Sequence, residues 1–179
     1  MSPILGIWAS AQQASKIVGD FESIATVTVG SGGATSISFT SIPSTYKHLQ
    51  LRAFIDSNSS DGYMSLRFNG DTTSSNYRYH YLQGNGSSAS AGTGANNAYF
   101  PSTAGPDGGG AIMDILDYQN TNKYKTIRIL NGWDSNGSGI ISFTSNLWMS
   151  TNAINEITLT NTGMNPQQYS HFALYGVKG

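Results

Sequence analysis

Apolar and polar residues alternate one by one along most of this chain, and this period of two constrains the fold more than any other feature. The segment YKHLQLRAFID (46–56) places Leu49, Leu51 and Ile55 on one face of an extended strand. About ten segments of this kind follow one another at the spacing expected of an all-β sandwich or barrel. Outside residues 7–18, no segment has the apolar stripe of a helix, so a parallel sheet with crossover helices is not expected.

Two segments hint at related halves, because YKHLQLR (46–52) and YKTIRIL (124–130) are each followed by an Asn-Gly pair. Two such halves folded as Greek keys would form a jelly roll. The sequence therefore predicts an antiparallel β-sandwich of jelly-roll type over residues 23–179, with residues 1–22 as a separate N-terminal segment. The Gly- and Ser-rich stretches 83–97 and 101–110 are expected to be loops.

The charge content limits the kinds of partner. The chain has 9 Lys and Arg, 10 Asp and Glu, and a net charge of -1. A nucleic-acid partner requires a basic face that releases counterions, and an anionic membrane surface attracts basic clusters. Neither partner is expected, and no segment is long and apolar enough to insert into a bilayer. Cysteine is absent, so disulfides contribute nothing to stability.

The motifs that resemble chemical sites are incomplete. Residues 84–89 read G-x-G-x-x-A, but no helical pattern follows to bind a pyrophosphate. Residues 56–62 resemble the start of a calcium loop but lack its glycine and its final glutamate. Asp114 and Asp117 fall on opposite faces of a predicted strand, and the three histidines lie in different strands without metal-ligand spacing. We therefore expect no enzyme activity, no cofactor and no metal site.

Aromatic residues form the most informative cluster. Tyr77, Tyr79 and Tyr81 stand two apart, which places them on one face of a strand. A tyrosine has a flat apolar ring and a polar tip, so this stripe suits the core, a subunit interface or a carbohydrate platform. Trp133 lies in NGWDSNGSG, and we expect it at a loop tip where it contacts a ligand or a neighbouring protein.

The N-terminus contains a short apolar cluster made of Ile4, Leu5, Ile7 and Trp8. A secretory signal peptide has a basic start and a longer apolar run, and this segment has neither. Two interpretations remain open. The cluster is either the first strand or helix packed on the protein's own core, or an attachment peptide that docks into a partner.

Several phrases resemble a group of small structural proteins from the virions of tailed bacteriophages, especially phages of cyanobacteria and other aquatic bacteria. The resemblance covers most of the chain and rests on SPILGIWAS, SIPSTYKHLQLR, RFNGD, ILDYQNTNKYKT, LWMSTNAI and FALYGVKG. These phrases include no catalytic signature. The resemblance implies a virion protein that is assembled in the host cytoplasm and needs no signal peptide.

The resemblance leaves the role within the virion open. The first expectation is a tail or neck appendage of the fibre or receptor-binding type, attached to other virion proteins by Ile4, Leu5, Ile7 and Trp8, with its sandwich facing a host surface polysaccharide. The alternative is a capsid cement or decoration protein without a ligand, and a free carbohydrate-binding module is the third. Fibre and cement proteins commonly close around a threefold axis, so we expect a homotrimer, with the stripe from Tyr77 to Tyr81 as a suitable contact.

Overall fold

The structure, a computed structural model, describes residues 19–57, 59, 62–100 and 107–179. These residues form twelve strands and one short 3-10 turn at Ser74–Asn76, and none of them is in an α-helix. The strands are β1 (Phe21–Thr28), β2 (Ser36–Phe39), β3 (His48–Ile55), β4 (Tyr63–Phe68), β5 (Tyr77–Gly84), β6 (Ala89–Ala95), β7 (Tyr99–Phe100), β8 (Gly109–Ile115), β9 (Lys125–Ser135), β10 (Ser138–Trp148), β11 (Ile157–Thr162) and β12 (His171–Val177).

The strands form two antiparallel sheets that pack face to face, which confirms the predicted all-β sandwich. The larger sheet has the order β1-β12-β3-β8-β9-β10-β5-β6, and the smaller has the order β2-β11-β4-β7. The first four strands of the larger sheet and the four strands of the smaller one have the order of an eight-stranded jelly roll. The hairpins β5–β6 and β9–β10 are insertions that extend the larger sheet beyond this unit.

Alternation builds the core between the sheets. Along β3 every second side chain is buried, with Leu49, Leu51 and Ile55 almost fully covered. Met64, Leu66 and Phe68 of β4 face them from the smaller sheet in the same manner. Each large apolar side chain contributes on the order of 1.5–3 kcal/mol when it is fully buried.

Asn-Gly pairs make two of the tight connections. Asn69 and Gly70 after β4 have φ of 51° and 66°, and Asn136 and Gly137 between β9 and β10 have φ of 47° and 99°. A two-residue hairpin turn with both central residues in the left-handed region favours this pair because Asn tolerates the conformation and Gly adopts it freely. The Asn136-Gly137 turn sets the register of β9 and β10, whereas the Asn69-Gly70 turn directs the chain from β4 toward β5 in the other sheet.

One expectation about local structure is wrong. Residues 83–97 are not a loop, because Ala89–Ala95 form strand β6 and pair with β5 from Arg78↔Ala95 to Gly84↔Ala89. The G-x-G-x-x-A segment is the turn of this hairpin, where the side-chain oxygen of Asn85 accepts the backbone N–H groups of Ser87 and Ser88. Pairing with β5 overrides the weak strand propensity of a Gly- and Ser-rich sequence.

Candidate functional site

Four tyrosines form a continuous row where the two sheets meet. Tyr79 and Tyr81 project from β5, Tyr99 from β7 and Tyr63 from the start of β4. The ring centroids are 5.0 Å apart for Tyr63 and Tyr99, 5.2 Å for Tyr99 and Tyr79, and 6.4 Å for Tyr79 and Tyr81. All four residues are partly exposed. We call this set the tyrosine row.

Glycines on β6 give the rings of Tyr79 and Tyr81 their positions. Tyr79 pairs with Gly94 and Tyr81 pairs with Gly92 across the hairpin. A Cβ atom at Gly92 would lie 2.7 Å from the Tyr81 ring, and one at Gly94 would overlap the Tyr79 ring. The two rings therefore lie flat on the backbone of β6, which only glycine permits at these positions.

Asn146 joins the two sheets beside the row. Its side-chain oxygen accepts the backbone N–H of Tyr99 at 2.7 Å, and its amide nitrogen donates to the carbonyl oxygen of Tyr99 at 3.1 Å. These bonds pair the edge of the smaller sheet with a side chain of β10, which lies on the inner face of the larger sheet. The edge strand β7 thus meets that face, and the tyrosine row lines the resulting corner.

Polar side chains border the row on the smaller sheet. Ser65 donates to the side-chain oxygen of Asn97 at 2.8 Å, and Arg67 donates to the same oxygen at 3.1 Å. Flat apolar rings next to fixed hydroxyl, amide and guanidinium groups can stack on the apolar face of a ligand and hydrogen-bond its polar edge. This chemistry suits an uncharged ligand with many hydroxyl groups.

Tyr77 belongs to the core and not to the exposed row, although it is on the same strand face as Tyr79 and Tyr81. It is completely buried. Its hydroxyl donates to the carbonyl oxygen of Asp71 at 2.9 Å and accepts the backbone N–H of Phe68 at 3.3 Å. Burial raises the pKa of Tyr77 to about 12. The smaller sheet covers this end of β5, so the stripe is exposed only from Tyr79 onward.

The expectation that Trp133 lies at a loop tip is wrong. Trp133 is inside β9, where it pairs with Ile140 of β10 and Gly109 of β8. The turn consists only of Asn136 and Gly137 and is shorter than the predicted loop, so β9 continues through Trp133. The side chain is half-buried beside two surface depressions and away from the tyrosine row.

The predicted attachment residues Ile4, Leu5, Ile7 and Trp8 lie outside the described residues. Strand β1 begins at Phe21, two residues before the predicted start of the sandwich. Among the described residues, no group of three His, Cys, Asp or Glu side chains is placed to hold a metal ion. The described part of the chain also includes no helix of the length and apolarity needed to cross a membrane.

The fold defines this protein as a jelly-roll β-sandwich with two inserted hairpins. Comparison with known proteins gives no match to a family model, to a curated protein or to a solved structure.

Proposed function

We propose that this chain is a structural protein of a bacteriophage virion, an appendage subunit of the tail or neck that contacts a host surface polysaccharide through the tyrosine row. Its N-terminal segment attaches it to other virion proteins. The observation that carries the proposal is the row itself, formed by Tyr63, Tyr99, Tyr79 and Tyr81. The resemblance of several sequence phrases to phage structural proteins supplies the setting.

The row suits a polysaccharide chain better than a small charged ligand. Three ring-to-ring steps of 5.0–6.4 Å give an elongated platform that follows the junction of the sheets. Sugar rings have apolar C–H faces that stack on tyrosine, and hydroxyl edges that reach Ser65, Arg67 and Asn97. A single shallow site of this kind binds weakly, but repeated copies on one particle raise the effective concentration.

Binding of host polysaccharide by the purified full-length protein tests the proposal. Calorimetric titration with surface polysaccharide of the host should show binding that Tyr81→Ala reduces by about two- to tenfold, since an aromatic stacking contact is worth about 0.5–1.5 kcal/mol. Tyr124→Ala is the matched control, because Tyr124 is 52% exposed and lies outside the row. Equal affinity of the Tyr81 variant and the control would contradict the role of the row.

A second candidate function is capsid decoration, and a different observation favours it. The outer face of the larger sheet exposes large apolar side chains, including Leu130 and Phe143. Such a surface fits a protein partner better than a glycan. Labelling purified particles with an antibody to the chain separates the candidates. An appendage gives labels at the tail or neck in low copy number, and decoration gives labels over the whole capsid.

A further inference from the structure

We propose that the outer face of the larger sheet, the side turned away from the smaller sheet, pairs with the same face of a second copy of this chain about a twofold axis. Three observations support the inference. They are the pattern of exposed side chains along β10, an apolar ridge that lies beside a groove on this face, and the area of the face. It does not depend on the proposed function, because pairing in solution requires neither a virion nor a glycan.

Residues 141–146 of strand β10 have their polar and apolar sides inverted. The side chains that it turns inward include Ser142, Thr144 and Asn146, which are all at least 96% buried. The side chains that it turns outward include Ile141 and Phe143, which are 62% and 47% exposed. With that face in water, this part of β10 would expose large apolar side chains while burying small polar ones, which is an unfavourable pattern for a strand. The observed register is favourable if the outer face is covered.

The apolar side chains form a ridge that runs straight across the sheet. Register places Leu82, Phe143, Leu130 and Ile112 opposite one another on the adjacent strands β5, β10, β9 and β8. Each of the four is between 42% and 57% exposed. Isolated exposed apolar residues are normal on a protein surface, whereas a continuous row of four marks a contact surface.

A groove lies next to this ridge. The neighbouring cross-strand row contains Gly84, Gly132 and Gly110, and these glycines are aligned with Ile141 and Phe54. The absence of side chains at Gly132 and Gly110 leaves an open depression of about 650 Å³. A Cβ added at Gly110 would meet no atom within 4 Å.

A ridge and a groove in adjacent rows of one face are self-complementary. A twofold axis between the rows brings the ridge of each copy onto the groove of the other, which is the arrangement that an isologous contact requires. Eight strands at about 4.8 Å spacing and five to six residues per strand at about 3.3 Å give each face roughly 700 Å². Two faces then bury roughly 1,400 Å², which lies in the lower part of the range for specific and stable interfaces.

Light scattering coupled to gel filtration of the full-length protein tests the pairing. We expect a dimer of the chain at tens of micromolar, and we expect it to dissociate on dilution. Gly110→Val should weaken the pair by at least about tenfold, because it fills the groove while a β-branched residue preserves or raises the stability of the strand. Leu130→Lys should have the same effect by charging the ridge, and its unchanged melting temperature would show that the fold is intact.

Tyr124→Lys is the matched control, since this exposed residue lies off the sheet face, and it should leave the pair unchanged. A monomer at about 100 μM would overturn the proposal, and so would a pair that resists both Gly110→Val and Leu130→Lys. A measured mass of three chains would instead support the homotrimer expected from the sequence and would reject the twofold contact. A full-length monomer that pairs only after removal of residues 1–18 would show that those residues occupy the face, which also rejects the proposal.

Discussion

The carboxylate of Asp71 offers the sharpest test of how this sandwich is held together. One of its oxygens accepts hydrogen bonds from the indole N–H of Trp148 and the amide of Asn76, each at 2.8 Å. The other accepts the backbone N–H of Thr73 at 2.9 Å. Asp71 thereby connects the β4–β5 link to the end of β10. Partial burial raises the pKa of Asp71, but the hydrogen bonds outweigh it and lower the pKa to about 2.

We expect Asp71→Asn to lower the free energy of unfolding by about 2 kcal/mol at pH 7. The pKa falls from its ordinary 3.8 to about 2. At 1.36 kcal/mol per pKa unit this corresponds to roughly 2.5 kcal/mol, less some screening because the side chain is partly exposed. The amide of asparagine also points an N–H group at one of the N–H donors that bind the Asp71 carboxylate, and two donors cannot form a hydrogen bond with each other. The melting temperature should fall by about 4–8 °C for a domain of this size.

The destabilisation caused by Asp71→Asn should depend on pH, and the lowered pKa of Asp71 determines the direction of this dependence. The unfolded chain takes up the proton near pH 4 and the folded chain only near pH 2, so the stabilisation is present above pH 4 and disappears as the pH falls to 2. Urea unfolding at pH 7, 4 and 2.5 measures this, with Asp20→Asn as an exposed control. A difference between wild type and Asp71→Asn that stays constant over this range would refute the electrostatic explanation.

Three further predictions concern the sandwich and its N-terminus. Gly62→Ala should destabilise the fold by at least about 3 kcal/mol in urea unfolding, because the added Cβ would overlap the backbone of Gly163, whereas Gly30→Ala meets no atom and should be neutral. Lys125→Met should cost about 2–4 kcal/mol in the same assay, because the buried ammonium donates to three carbonyl groups that would lose their donor. If the N-terminal segment serves attachment as proposed, deleting residues 1–20 should lower the melting temperature by only a few degrees, because the deletion removes none of the twelve described strands. Aggregation of the shortened chain would instead show that the segment belongs to the fold.

The fold class was predictable because alternation is a local property. In β3 the sequence places Leu49 and Leu51 on one face, and burial of that face needs no knowledge of the partner strand. The Asn136-Gly137 pair likewise sets its turn through its own backbone preferences. What could not be predicted is which strands are neighbours, because the insertion of β5–β6 between β4 and β7 depends on contacts distant in sequence.

The tyrosine row was predictable only in part. The sequence places Tyr79 and Tyr81 on one strand face, but their neighbours Tyr99 and Tyr63 come from other strands that the fold brings together. One signal could have been used: in the hairpin centred on the Gly84–Ala89 turn, Gly92 and Gly94 stand opposite the two tyrosines. Glycines two apart opposite aromatic residues two apart indicate rings that lie on a strand backbone.

The two candidate surfaces lie on opposite sides of the same inserted hairpin. On β5, Tyr79 and Tyr81 face the corner on the inner side, while Leu82 belongs to the ridge on the outer side. Pairing of two copies through their outer faces would therefore leave both tyrosine rows accessible and pointing away from each other. A pair with two outward glycan sites binds a repeating polysaccharide more tightly than one site does, provided that both can engage at once.

Loss of pairing in the Leu130→Lys variant should then weaken binding to the polymer and leave binding to a short oligosaccharide unchanged. Calorimetry with both ligands would measure this difference. Equal weakening for both ligands would show that the ridge variant acts on the site itself and not through pairing.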